Sequence, residues 1–120
     1  MRQENLIIVL TGEELDHLAR SVINLGYQVL IVENMQQALN KMHYFEFSAA
    51  IIVAGKKIDP LEFVLNARDI DDGLPIIVVD YIEDSRVKEK LLRLPDVSVL
   101  ESNSDELEKE LSQSLRDLGQ

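Results

Sequence analysis

The sequence predicts an α/β protein, a doubly wound parallel sheet of five strands flanked by five helices. Two observations carry this expectation. Five short apolar runs, starting at Leu6, Tyr27, Ala49, Ile76 and Val97, alternate strictly with segments of helical periodicity. The third run, Ala49 to Ala54, is six apolar residues without a break, β-branched in its middle and closed by Gly55. A run of that kind suits a strand buried on both faces, as in a sheet covered by helices. Short connections and right-handed crossovers then leave the doubly wound sheet as the leading architecture.

Leu6 to Leu10 is the first strand. Thr11-Gly12-Glu13-Glu14 has the form of a capping box and opens the first helix, whose stripe is Leu15, Leu18, Ala19 and Val22. Gly26 ends it, because a residue without Cβ takes the left-handed conformation at a helix C-terminus. Tyr27 to Val32 is the second strand, and Asn34-Met35-Gln36-Gln37 caps a second helix with the stripe Met35, Ala38, Leu39 and Met42.

The central strand follows. Asp59-Pro60-Leu61-Glu62 starts the third helix, with Asp59 as cap and Pro60 at the first helical position. Leu61, Val64, Leu65 and Arg68 are expected on its inner side. Asp71 to Pro75 is a turn, Ile76 to Val79 the fourth strand ending at Asp80, and Glu83 to Leu92 the fourth helix. Pro95-Asp96 breaks that helix, Val97 to Leu100 is the fifth strand, and Ser102 or Ser104 caps a last helix carrying Leu107, Leu111, Leu115 and Leu118.

The length of 120 residues fits one domain spanning 1–120. No stretch approaches the roughly 18 continuous apolar residues of a membrane span, and no signal peptide is visible, so the expected location is cytoplasmic. The net charge of −10, from 12 basic and 22 acidic side chains, opposes direct binding to nucleic acid or an anionic membrane. Cysteine is absent, which excludes disulfides and thiolate metal sites.

The chain resembles the receiver domain of two-component response regulators over almost its whole length. The resemblance rests on the apolar first strand, Leu25-Gly26-Tyr27, Asp59-Pro60-Leu61-Glu62, and Leu74-Pro75 leading into Ile76-Ile77-Val78-Val79. It implies a flavodoxin-like sheet of order 2-1-3-4-5, with any chemistry at the carboxyl ends of the strands. In such domains an acidic pair after the first strand and an aspartate ending the third hold magnesium, and that aspartate takes a phosphoryl group. A hydroxyl ending the fourth strand and a lysine ending the fifth contact the phosphoryl oxygens. Carried over, the acidic pair falls at Leu10 and Thr11, the phosphoacceptor at Ala54 (or at Val53 or Gly55), the hydroxyl at Asp80 and the lysine at Glu101 or Leu100. The family pattern is lost at each position. Magnesium requires hard oxygen ligands, and alanine cannot form an acyl phosphate.

The expected function is therefore that of a non-phosphorylatable receiver-like module, a pseudo-receiver, acting through a protein partner or an attached effector or sensor domain. No catalytic residue, metal or cofactor is expected. The alternative is a small-molecule or anion-binding domain using the same sheet edge, where Glu33, Asp80 and Glu101 gather with Lys56 and Lys57. His43 reads as a capping or half-buried histidine. Tyr81 either fills the space of a switch or serves as an exposed anchor for a partner. A possible interaction face combines Tyr81, Arg86, Lys90 and Arg93 with Glu106 and Glu110. Its opposite charges suit a homodimer contact and equally suit two solvated helix faces.

Overall fold

The computed structural model describes residues 6–11, 16–53, 59–80, 85–101 and 107–118. Five parallel strands form one sheet, β1 (Leu6–Thr11), β2 (Gln28–Val32), β3 (Ala49–Val53), β4 (Ile76–Asp80) and β5 (Val97–Glu101), in the order β2-β1-β3-β4-β5. The helices are α1 (Asp16–Asn24), α2 (Met35–Tyr44), α3 (Pro60–Ile70), α4 (Ser85–Leu92) and α5 (Leu107–Leu118). The expected fold class and strand order are the observed ones.

Side-chain alternation along the strands divides the core into two layers. Ile8, Leu10, Ala50, Ile52, Ile76 and Val78 face one way and pack under α2, α3 and α4 through Ala38, Met42, Phe63, Val64, Ala67 and Leu91. Ile7, Val9, Ala49, Ile51, Val53, Ile77 and Val79 face the other way, against Val22 of α1 and Leu111 and Leu115 of α5. The chain moves from β1 to β2 in one direction across the sheet and from β2 through β5 in the other. Crossovers of a single hand must therefore place α1 opposite α2, α3 and α4. All five residues of β3 are buried, because β3 is the middle strand of five, paired on both edges and covered on both faces.

Local signals account for the helix boundaries that are described. The Asn34 side chain accepts the Gln37 amide at 2.8 Å, and Gln37 Oε1 reaches back to accept the amide of Glu33, the residue before the cap, at 3.1 Å. Asp59 Oδ1 accepts the Leu61 and Glu62 amides at 3.0 and 3.2 Å, with Pro60 at the head of α3. Gly26 has φ +99 just beyond α1, a conformation that costs glycine little.

Several expectations need correction. Leu65 does not face the sheet; it is 52% exposed, and Phe63 and Ala67 are buried instead. The inner face of α3 is set by Phe63, Val64 and Ala67, which recur at helical spacing. Tyr27 precedes β2 and is half-buried, its hydroxyl donating to the Leu115 carbonyl at 3.3 Å. His43 is exposed in the last turn of α2. β1 and β5 each run one residue further than expected, to Thr11 and Glu101, and β4 ends at Asp80. The capping expected of Thr11 through Glu14, and of Ser102 or Ser104, rests on positions or side chains outside the described residues.

Candidate functional site

The register fixes which strand ends lie side by side at the carboxyl edge. Thr11 is opposite Val53, Val53 opposite Val79, and Asp80 opposite Glu101. The backbones of Asp80 and Glu101 are thus neighbours, as the sequence reading placed them. Leu10 lies one residue inside that edge, 1% exposed, with Val32, Ile52 and Val78 in the same apolar cluster. A carboxylate there would be buried in hydrocarbon. Ala54, Lys56, Lys57 and Tyr81 lie outside the described residues, and Glu33 is exposed just after β2. Asp59, exposed at the head of α3, caps that helix with its Oδ1 through the two amides described above.

The described part of the expected interaction face is distributed over two helices. Arg86, Lys90 and Arg93 are exposed on or just after α4, Glu110 is half-buried on α5, and Glu106 is outside the described residues. Because α4 belongs to one core layer and α5 to the other, the basic and acidic helices lie on opposite faces of the sheet. The edge strand β5 runs between them. Leu92, 55% exposed, adds an apolar side chain to the α4 surface.

The amino edge of the sheet holds a feature that the sequence reading did not single out. The C-terminal ends of α2 and α3 border an open cleft of about 800 Å³, lined by residues 42–46 and 68–72. Arg68 forms part of its wall. Its Nη1 donates to the Leu74 carbonyl at 2.6 Å and its Nη2 to the Pro95 carbonyl at 2.8 Å. The guanidinium thereby ties α3 to the turns entering β4 and β5, while Nε is buried without a hydrogen-bond partner. Tyr44 is 76% exposed and Phe45 46% exposed at the cleft. The Phe45 ring leans on the buried Phe47 ring at 6.3 Å and 58°. The available signals were an aromatic pair directly after a helix end and the acid-rich run Asp69-Ile70-Asp71-Asp72. Both are short, and only the fold shows that they share one edge. Among the described residues, no group of three or more His, Cys, Asp or Glu gathers as a metal site.

No protein-family model matches the sequence, and no curated protein is similar to it at the sequence level. Solved structures are similar in fold. The signal receiver domain of an HD domain-containing protein from Pseudomonas fluorescens Pf-5 superposes with a TM-score of 0.84 at 18% identity, covering 98% of this chain and 88% of that one. A CheY-like response regulator receiver domain protein from Methanospirillum hungatei JF-1 gives 0.84 at 17% identity, covering 98% and 95%. The receiver domain of a sensor histidine kinase from Pseudomonas aeruginosa PAO1, solved with magnesium in its active-site cleft, gives 0.78 at 18% identity, covering 98% and 100%. At such identities the likeness shows the fold, which is that of receiver domains.

Proposed function

We propose that the chain is a receiver-fold signalling module that works by docking to a protein partner, or to an attached sensor or effector domain, without accepting a phosphoryl group. One observation carries this reading. From Ser48 through Ile58, the end of β3 and the segment after it, the sequence contains no carboxylate. The next one, Asp59, has its Oδ1 engaged by the Leu61 and Glu62 amides. The position that would take a phosphoryl group is therefore filled by Ala54 or an equally unreactive neighbour.

The residues also do not fit a magnesium site of the receiver kind. Leu10 lies in the core where an acidic ligand would be needed, and magnesium binds carboxylate and water oxygens with little tolerance for substitution. Asp80 and Glu101 replace a hydroxyl and a lysine with negative charge, so their neighbouring backbones bring anionic groups to an edge that would have to hold phosphate. In this reading the fold supplies a rigid surface, and no catalytic step belongs to the chain.

The test is incubation with acetyl phosphate and magnesium, read by intact mass, together with beryllofluoride–magnesium titration read by amide NMR. The expected result is no phosphoryl adduct and no saturable shifts at Val53, Asp80 and Glu101. A stable adduct, or magnesium-dependent shifts at that edge, would overturn the proposal and restore a phosphorylation switch.

A further inference from the structure

The amino edge of the sheet, remote from the strand ends just discussed, carries a surface with a definite chemical preference. We propose that the cleft between the ends of α2 and α3 is the docking site for a lysine- or arginine-rich segment of another protein. This rests on the protein-docking reading above and names its partner class.

Three observations select that occupant. First, two helices end at the cleft, and each C-terminus presents the negative end of its dipole. Carboxylates are disfavoured at such a place, yet Glu46, Asp69, Asp71 and Asp72 all line it. Asp69 and Asp72 are exposed, while Asp71 also accepts the Gly73 amide at 3.2 Å. Second, Arg68, which lines the cleft, keeps its positive charge while both Nη groups donate to backbone carbonyls, so it offsets one of the four carboxylates there. Lys41 and His43 remain as partial opposition on α2. The balance stays negative.

Third, the cleft offers fixed aromatic surface. Tyr44 ends α2, and the Phe45 amide donates to the Lys41 carbonyl at 2.9 Å, closing that helix. Phe45 leans on Phe47, which is 1% exposed and anchored in the core. A ring face held as Phe45 is attracts guanidinium and ammonium groups, and because it is already ordered, little entropy is lost on contact; Tyr44 adds an exposed ring beside it. An incoming arginine would place its charge between the carboxylates of Asp69 and Asp72 and the Tyr44 or Phe45 ring. Nucleic acid and anionic lipid are the wrong sign for this surface.

The probe is a synthetic arginine-rich dodecapeptide containing one leucine, with a glutamate-for-arginine counterpart as control, titrated into the full chain and followed by amide NMR. Saturable shifts confined to residues 42–46 and 68–72, absent with the acidic peptide, are expected. The double variant Asp69→Asn with Asp72→Asn, and separately Tyr44→Ser, should each weaken binding by about tenfold. Lys109→Ala, at an exposed position on α5, should leave binding unchanged. All three variants alter exposed side chains, and unchanged thermal melting verifies that they fold.

Shifts spread over the whole acidic surface, or binding indifferent to Tyr44 and Asp69, would overturn the proposal. So would sedimentation showing self-association abolished by the Asp69 and Asp72 changes, because the occupant would then be a second copy of the chain. The acetyl phosphate experiment separates the two levels. No adduct together with no peptide binding would leave the docking reading standing and remove this site, whereas an adduct would remove the reading itself.

Discussion

Asp59 shows how a single side chain can set the start of a helix. Its carboxylate satisfies two amides at the head of α3, where Pro60 leaves no N–H to be satisfied. Asp59→Ala should therefore lower stability by about 1 kcal/mol, measured by urea denaturation with an unchanged m-value. A loss near zero would mean that solvent caps this helix equally well. The same side chain is the first carboxylate in the sequence after β3. Arg68 is the complementary case. Helical periodicity assigned it to the inner stripe of α3, and it does turn inward, but as a donor to the Leu74 and Pro95 carbonyls. Periodicity reports which side of a helix a residue occupies. It does not report that a half-buried cation will find two carbonyls from later turns.

Among the elements, α3 separates what could be read in the chain from what could not. Its start was legible because Asp, Pro and Glu at the first positions each have a local physical role. Its buried face was misjudged because Leu65 was grouped with Val64, whereas the sheet receives Phe63, Val64 and Ala67. Phe63→Ala should cost about 3–5 kcal/mol, since Phe63 is 0% exposed. Leu65→Ala should change stability by less than about 0.5 kcal/mol, as expected for an outward-facing position. Paired thermal melts of the two variants decide this, and equal losses would refute the assigned face. The strands were legible almost to the residue because parallel strands covered on both sides require continuous apolar runs. The docking cleft was not. It depends on the ends of α2 and α3 meeting at one edge, a relation among residues distant in sequence that no local pattern encodes.

At the scale of the whole molecule, the charge of −10 is spread over a domain with a radius of gyration of 12.9 Å. Like charges at that spacing repel, and salt screens them. Raising sodium chloride from about 0.05 to 0.5 M should raise the melting temperature by a few degrees, as read by calorimetry. A fall would mean that favourable ion pairs dominate the surface. The strand order β2-β1-β3-β4-β5 has one more consequence, for the chain as it leaves the ribosome. β2 pairs with β1, β3 with β1, β4 with β3 and β5 with β4, so each newly made strand finds its partner already synthesised. The first β-α-β unit can assemble and then grow at one edge, in step with translation, without holding a strand open for a partner still to come.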